Sequence, residues 1–119
     1  MDIEFGDPAE APLPPDRVSF RRVEVEPYQD AQRLLVRLSV TPFQERPTID
    51  LEVLDKQGET VATSSIVEAT DPTMSLTLHL RRPSPEMEFT LVARLLYEEL
   101  GEVDRSEAQF SFPKSNQEA

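Results

Sequence analysis

"EFTLVARLLYEELGEVDRSEAQFSF", Glu88 to Phe112, is the stretch on which the fold turns. Phe89, Leu91, Ala93 and Leu95 stand at every second position, and past a turn around Gly101 the alternation resumes at Ala108, Phe110 and Phe112. Successive side chains of a strand point to opposite faces, so this period gathers the apolar set on one side of a sheet, where a helix would scatter it. The segment predicts two antiparallel strands sharing one buried face.

The same period runs back through the chain. Val18 and Phe20 alternate, and Val23 and Val25 resume in the opposite phase after Arg21-Arg22, a slip that predicts a bulge or a strand switching between sheets. Leu34, Val36, Leu38 and Val40 make a second strand, and Ile49, Leu51 and Val53 a third. "DKQGE" then supplies a turn in which Gly58 takes positive φ without steric cost. Val61 to Val67 returns as a fourth strand, and Met74, Leu76, Leu78 and Leu80 form a fifth after Asp71-Pro72. Seven short strands between Arg17 and Pro113, with no helical period of useful length, describe an all-β, seven-stranded antiparallel Greek-key β-sandwich.

The ends have another composition. Residues 1–16 carry Asp2, Glu4, Asp7, Glu10 and Asp16 without a base, and Pro8, Pro12, Pro14 and Pro15 oppose regular structure, so a disordered acidic tail is expected there. Residues 17–113 are expected to be the sandwich and 114–119 a second disordered tail. Ile3 and Phe5 between acids also resemble a short docking peptide.

Composition removes several function classes. The 119 residues include no cysteine, which excludes disulfide frameworks, thiolate zinc sites and cysteine nucleophiles. With 23 acidic residues against 12 basic ones the formal charge is −11, which argues against nucleic acid and anionic membrane as partners, both being polyanions. No run of more than three apolar residues occurs, and the acidic N-terminus lacks the pattern of a secretory signal, so a cytoplasmic protein is expected. Gly6, Gly58 and Gly101 are the only glycines, too few for a phosphate loop, and no cofactor is expected.

From Arg17 to Pro113 the strand count and the Glu88–Phe112 hairpin resemble an immunoglobulin-like domain of the fibronectin type III kind. The chain departs from antibody domains in having no cysteine pair and no tryptophan. Tyr97 stands near the end of the sixth strand, where the family's tyrosine corner stands near the start. The resemblance implies a fold and carries over no functional residue, since one sandwich hosts many functions.

Three residue sets are candidate sites. His79, the only histidine, shares a strand face with Thr77 and Ser75, which lie about 7 and 14 Å along the axis at ~3.4 Å per residue. A hydroxyl two residues away is out of hydrogen-bond reach, so His79 reads as a surface residue, and no catalytic group is expected. Strand alternation places three loops at one end, gathering Glu68, Asp71, Glu99 and Glu102 with Glu45 and Glu98, a candidate site for a cation such as calcium or a small ligand. Finally, Val92, Arg94 and Leu96 fall in the outward phase of the sixth strand, with Leu54 beside them, as a candidate contact surface. The expectation is a non-catalytic interaction module binding a protein partner, with a homodimer as one version, through a sheet face or an edge strand.

Overall fold

In the computed structural model, which describes residues 11–30, 32–80 and 88–112, the period-two runs form strands in sequence order. A short 3-10 turn at Pro15–Arg17 leads into β1 (Phe20–Pro27), β2 (Arg33–Val40), β3 (Thr48–Leu54), β4 (Thr60–Ile66), β5 (Thr73–His79), β6 (Glu88–Tyr97) and β7 (Gly101–Ser111). They build two antiparallel sheets, β1-β2-β5 and β4-β3-β6-β7. β1–β2, β3–β4 and β6–β7 are hairpins, while the links β2–β3, β4–β5 and β5–β6 pass from one sheet to the other. This is a Greek-key β-sandwich. Among the described residues no helix is long and apolar enough to cross a membrane.

The core lies between the sheets, fed by the strands that have neighbours on both sides. Leu34, Val36, Leu38 and Val40 of β2 meet Ile49, Leu51 and Val53 of β3 and Phe89, Leu91, Ala93 and Leu95 of β6, all buried. Burying one such side chain contributes about 1.5–3 kcal/mol, so this set dominates stability. Past the end of β7, Phe112 meets the ring of Phe89 edge-on at 5.8 Å, and Phe110 stacks on Phe89 at 5.4 Å. β5 follows its alternation, with Leu78 buried and His79 exposed in register with Arg33.

The phase slip at Arg21-Arg22 is a bulge: the β1–β2 register shifts between Phe20 and Arg22, and Phe20, Val23 and Val25 all pack against the core. At this point the two sheets are tied together, since the Phe20 backbone N–H donates to Asp104 Oδ2 of β7 at 2.8 Å. A second register shift, between Leu95 and Leu96, makes Val103 the extra residue of β7. The strand therefore starts earlier than its apolar pattern indicates. Gly101 is its first residue, at φ +74°, and the turn proper precedes it.

The N-terminal boundary also moves. Leu13 forms a parallel bridge with Phe43, its N–H donating to Pro42 O at 3.0 Å while Gln44 N–H donates to Leu13 O at 2.9 Å. The expected tail over 1–16 is thus corrected in its second part, because Leu13 has an apolar side chain to pack and unpaired loop carbonyls to join. Residues 1–10, with the Ile3 and Phe5 motif, and residues 114–119 lie outside the described residues.

Candidate interaction face

Alternation gives the four-stranded sheet an outer face as well as a core face. β3 turns Thr48, Asp50, Glu52 and Leu54 outward, and β6 turns Thr90, Val92, Arg94 and Leu96 the same way. In register across the sheet, Glu52 stands beside Val92 and Val92 beside Glu107, while Arg94 stands beside Arg105 and Leu96 beside Glu102.

Val92 is the correction among the expected contact residues. It faces away from the core, as its phase requires, yet it is only 3% exposed. It sits on a central strand among Glu52, Glu107 and Arg94, whose methylene stems cover apolar surface while their charged ends stay in water. Leu54 and Leu96 are half-buried and remain reachable. The accessible apolar surface is therefore two leucines flanking an ionic centre.

That centre is Arg94. Its Nη1 lies 3.2 Å from Glu52 Oε1 and its Nε 3.6 Å from Glu102 Oε1. Arg105 holds Glu102 in a fork, with Nε donating at 3.0 Å and Nη2 at 3.2 Å. Two arginines opposite each other on neighbouring strands repel, and Glu102 between them offsets this. The Thr60 hydroxyl donates to Glu52 Oε2, and this bond, with Arg94 adding to it, holds the Glu52 carboxyl below its ordinary value. Glu102 is lowered likewise, first by the hydrogen bonds from Arg105. Ser65 Oγ donates to Asp50 Oδ1 at 2.6 Å.

A broad depression of about 420 Å³ lies over Asp50, Glu52, Thr63, Ser65 and Arg94. A general acid needs a carboxyl kept protonated near neutral pH, and Glu52 is pushed the other way.

The acidic loop end divides. Glu45, Glu68, Glu98 and Glu99 do border one depression of about 300 Å³, together with Arg46, Val67 and Tyr97. Glu102 does not join them, being turned to Arg105 and Arg94, and Asp71 is not part of that lining. Among the described residues no three aspartate, glutamate or histidine side chains group to hold a metal ion. Sequence reasoning missed two contacts near this end. Tyr97 donates its hydroxyl to Glu45 O at 2.8 Å, and burial followed by the Glu45 charge raises its pKa. Asp104 was legible in principle, since it shares the even-numbered phase of Ala108 and Phe110 and so had to point inward.

Fold and face together define an immunoglobulin-like β-sandwich with a charged outer sheet face. Solved structures agree on the fold. A glycosyl hydrolase family 2 member from Bacteroides cellulosilyticus superposes with a TM-score of 0.67 at 15% identity, covering 80% of this chain and 14% of that one. The β-glucuronidase of Bifidobacterium dentium, complexed with coumarin-3-O-glucuronide, gives 0.64 at 16% identity over 80% of this chain and 18% of its own. That of Ruminococcus gnavus, in complex with D-glucaro 1,5-lactone, gives 0.53 at 19% identity over 81% and 16%. The chain spans less than a fifth of each of these enzymes. No protein-family model matches the sequence, and no curated protein does.

Proposed function

We propose that the chain is a non-catalytic protein-interaction module that binds a protein partner through the outer face of its four-stranded sheet. The observation that carries this reading is the face itself: half-buried Leu54 and Leu96 on either side of the Arg94–Glu52–Glu102–Arg105 network. Apolar contacts beside a pre-ordered arginine are what interface centres use, arginine being enriched there. The similarity to small portions of large hydrolases supports a domain without the reacting residues. The fibronectin type III kind of sandwich is supported by β4 pairing with β3, which makes sheets of three and four strands; antibody constant domains place their fourth strand in the other sheet.

The test is affinity capture with cross-linking from the source organism's lysate, comparing the wild-type chain with Leu54→Asp plus Leu96→Asp. Both leucines lie outside the core, so the variant is expected to fold, with an unchanged far-UV spectrum, and to lose a partner that the wild type cross-links through β3 or β6. Equal capture by both chains refutes the face.

A further inference from the structure

The two sides of the sandwich differ. On one, β1 and β7 are tied together by the Phe20 N–H donating to Asp104 Oδ2. On the other the edges are β4 and β5, and the core-facing side chains there, Ala62 and Ile66 of β4 with Met74 and Leu76 of β5, are only half-buried although they pack against the core. They form an apolar seam along that side. Of its two walls β5 is the regular one, its register with β2 running unbroken from Thr73–Ser39 to His79–Arg33. β4 is interrupted, since the β3–β4 register shifts at Val61, and exposed Glu59 and Glu68 flank the strand.

The free edge of β5 is laid out by its bonds to β2. Leu80 N–H donates to Gln32 O and Pro72 O accepts from Val40 N–H, both at 2.8 Å, so the even-numbered backbone groups along β5 point to β2. Backbone direction alternates along a strand, which leaves the N–H and C=O groups of Thr73, Ser75, Thr77 and His79 on the side where no described strand pairs. On the outer face Ser75 is in register with Arg37 and His79 with Arg33. A strand that fits this edge has apolar residues at every second position for the seam and acids between them for the arginine side. The chain holds such a stretch in Asp2–Phe5, "DIEF", with Ile3 and Phe5 in one phase and Asp2 and Glu4 in the other.

We infer that Asp2–Phe5 adds to the free edge of β5 of its own chain as an antiparallel strand, extending the three-stranded sheet by one. Ile3 stands opposite Leu76 and Phe5 opposite Met74, both turned into the seam, while Asp2 and Glu4 pair with Thr77 and Ser75 and meet their outward N–H groups. Charge selects this edge: Asp2 and Glu4 fall on the side of Arg33 and Arg37, whereas along β4 they would face Asp50 and Glu52. Direction and reach agree. Leu13 N–H donates to Pro42 O, and Pro42 is two residues from Val40, which is bonded to Pro72 at the head of β5. Followed backwards from Leu13, the chain thus starts where β5 begins and descends along it, the antiparallel sense. The stretch from Phe5 to Pro12 covers up to about 26 Å, at ~3.3 Å per residue, more than the short bonded path from Leu13 to Pro72 requires. Gly6, opposite Thr73, gives the freedom to turn away before Asp71 is reached. The inference concerns the sheet opposite the proposed partner face and is independent of that reading.

The experiment is amide hydrogen exchange on the full chain, resolved by NMR at each residue, with sedimentation velocity over the same concentration series. The wild type is expected to exchange slowly at Ser75 and Thr77, whose N–H groups otherwise face water, and to do so as a monomer at every concentration. Ile3→Asp plus Phe5→Asp is expected to speed exchange at these two residues by about ten-fold or more, while Leu76 and Leu78, whose N–H groups point to β2, keep their rates. Wild-type Ser75 and Thr77 amides that exchange as fast as loop amides overturn the inference. So does protection that survives in the variant, because another segment then covers the edge. Protection that grows only as the chain dimerises also overturns it, the occupant then being a second copy.

Discussion

At Asp104 one carboxylate closes the sandwich. The residue points toward the core, where an unpartnered charge is costly, and it accepts the Phe20 N–H that the β1 bulge frees. Removing it leaves that N–H unsatisfied. Asp104→Ala is expected to lower stability by about 1–3 kcal/mol in urea unfolding, with Asp104→Asn, which keeps an acceptor, losing less. Glu52 gives a second residue-scale prediction, with its sign fixed by linkage. Its folded pKa lies below the ordinary 4.5, so its ionised form stabilises the fold fully above that value and the contribution is lost as pH falls through the folded pKa. The gap in melting temperature between wild type and Glu52→Gln is therefore expected to be constant near neutrality and to close below about pH 4.5. A gap that widens in acid contradicts the assignment.

Individual elements were legible where the period of two ran unbroken. β2, β3, β5 and β6 each show it, and even the β1 bulge could be read from its phase slip at Arg21-Arg22. The start of β7 was not legible, because the extra residue Val103 breaks the phase and Glu102, Arg105 and Glu107 mask a strand whose outward face is wholly polar. Val92 shows a different limit: local period fixes which way a side chain faces, whereas its burial depends on Glu52 and Glu107 from other strands. Turn chemistry was readable, and it can be tested. Gly58 has φ +87° with no atom within 4 Å of where a Cβ would stand, and Asp55 Oδ1 accepts both Gln57 N–H and Glu59 N–H at 2.9 Å. Gly58→Ala is thus expected to cost about 1–2 kcal/mol from backbone strain alone, read as a lower urea midpoint with an unchanged slope. At the other boundary, a chain starting at Arg17 is expected to be less stable than one starting at Ala11 by about 1–3 kcal/mol, because it loses the Leu13 packing and its two backbone hydrogen bonds.

For the whole molecule, two electrostatic effects oppose each other. Ion pairs such as Arg37–Glu26 at 2.9 Å and Arg33–Asp30 at 2.7 Å stabilise the fold, but their side chains are more than a third exposed and such pairs contribute about 0–1 kcal/mol. Against them stands the mutual repulsion of 23 acids that only 12 bases offset, summed over the surface of a small domain. Salt screens both, with a Debye length of about 10 Å at 0.1 M, and the larger effect decides the sign. Repulsion is the larger, since it acts between many acids while the pairs are few and exposed. At a fixed protein concentration, raising sodium chloride from roughly 0.01 to 1 M, which shortens the Debye length from about 30 to 3 Å, is expected to raise the melting temperature. Arg94→Gln takes the charge one unit further from neutrality and removes the best-covered cation of the outer face, so its melting temperature starts lower and climbs more steeply with salt. A wild type that melts lower as salt rises places the balance with the Arg94 network instead.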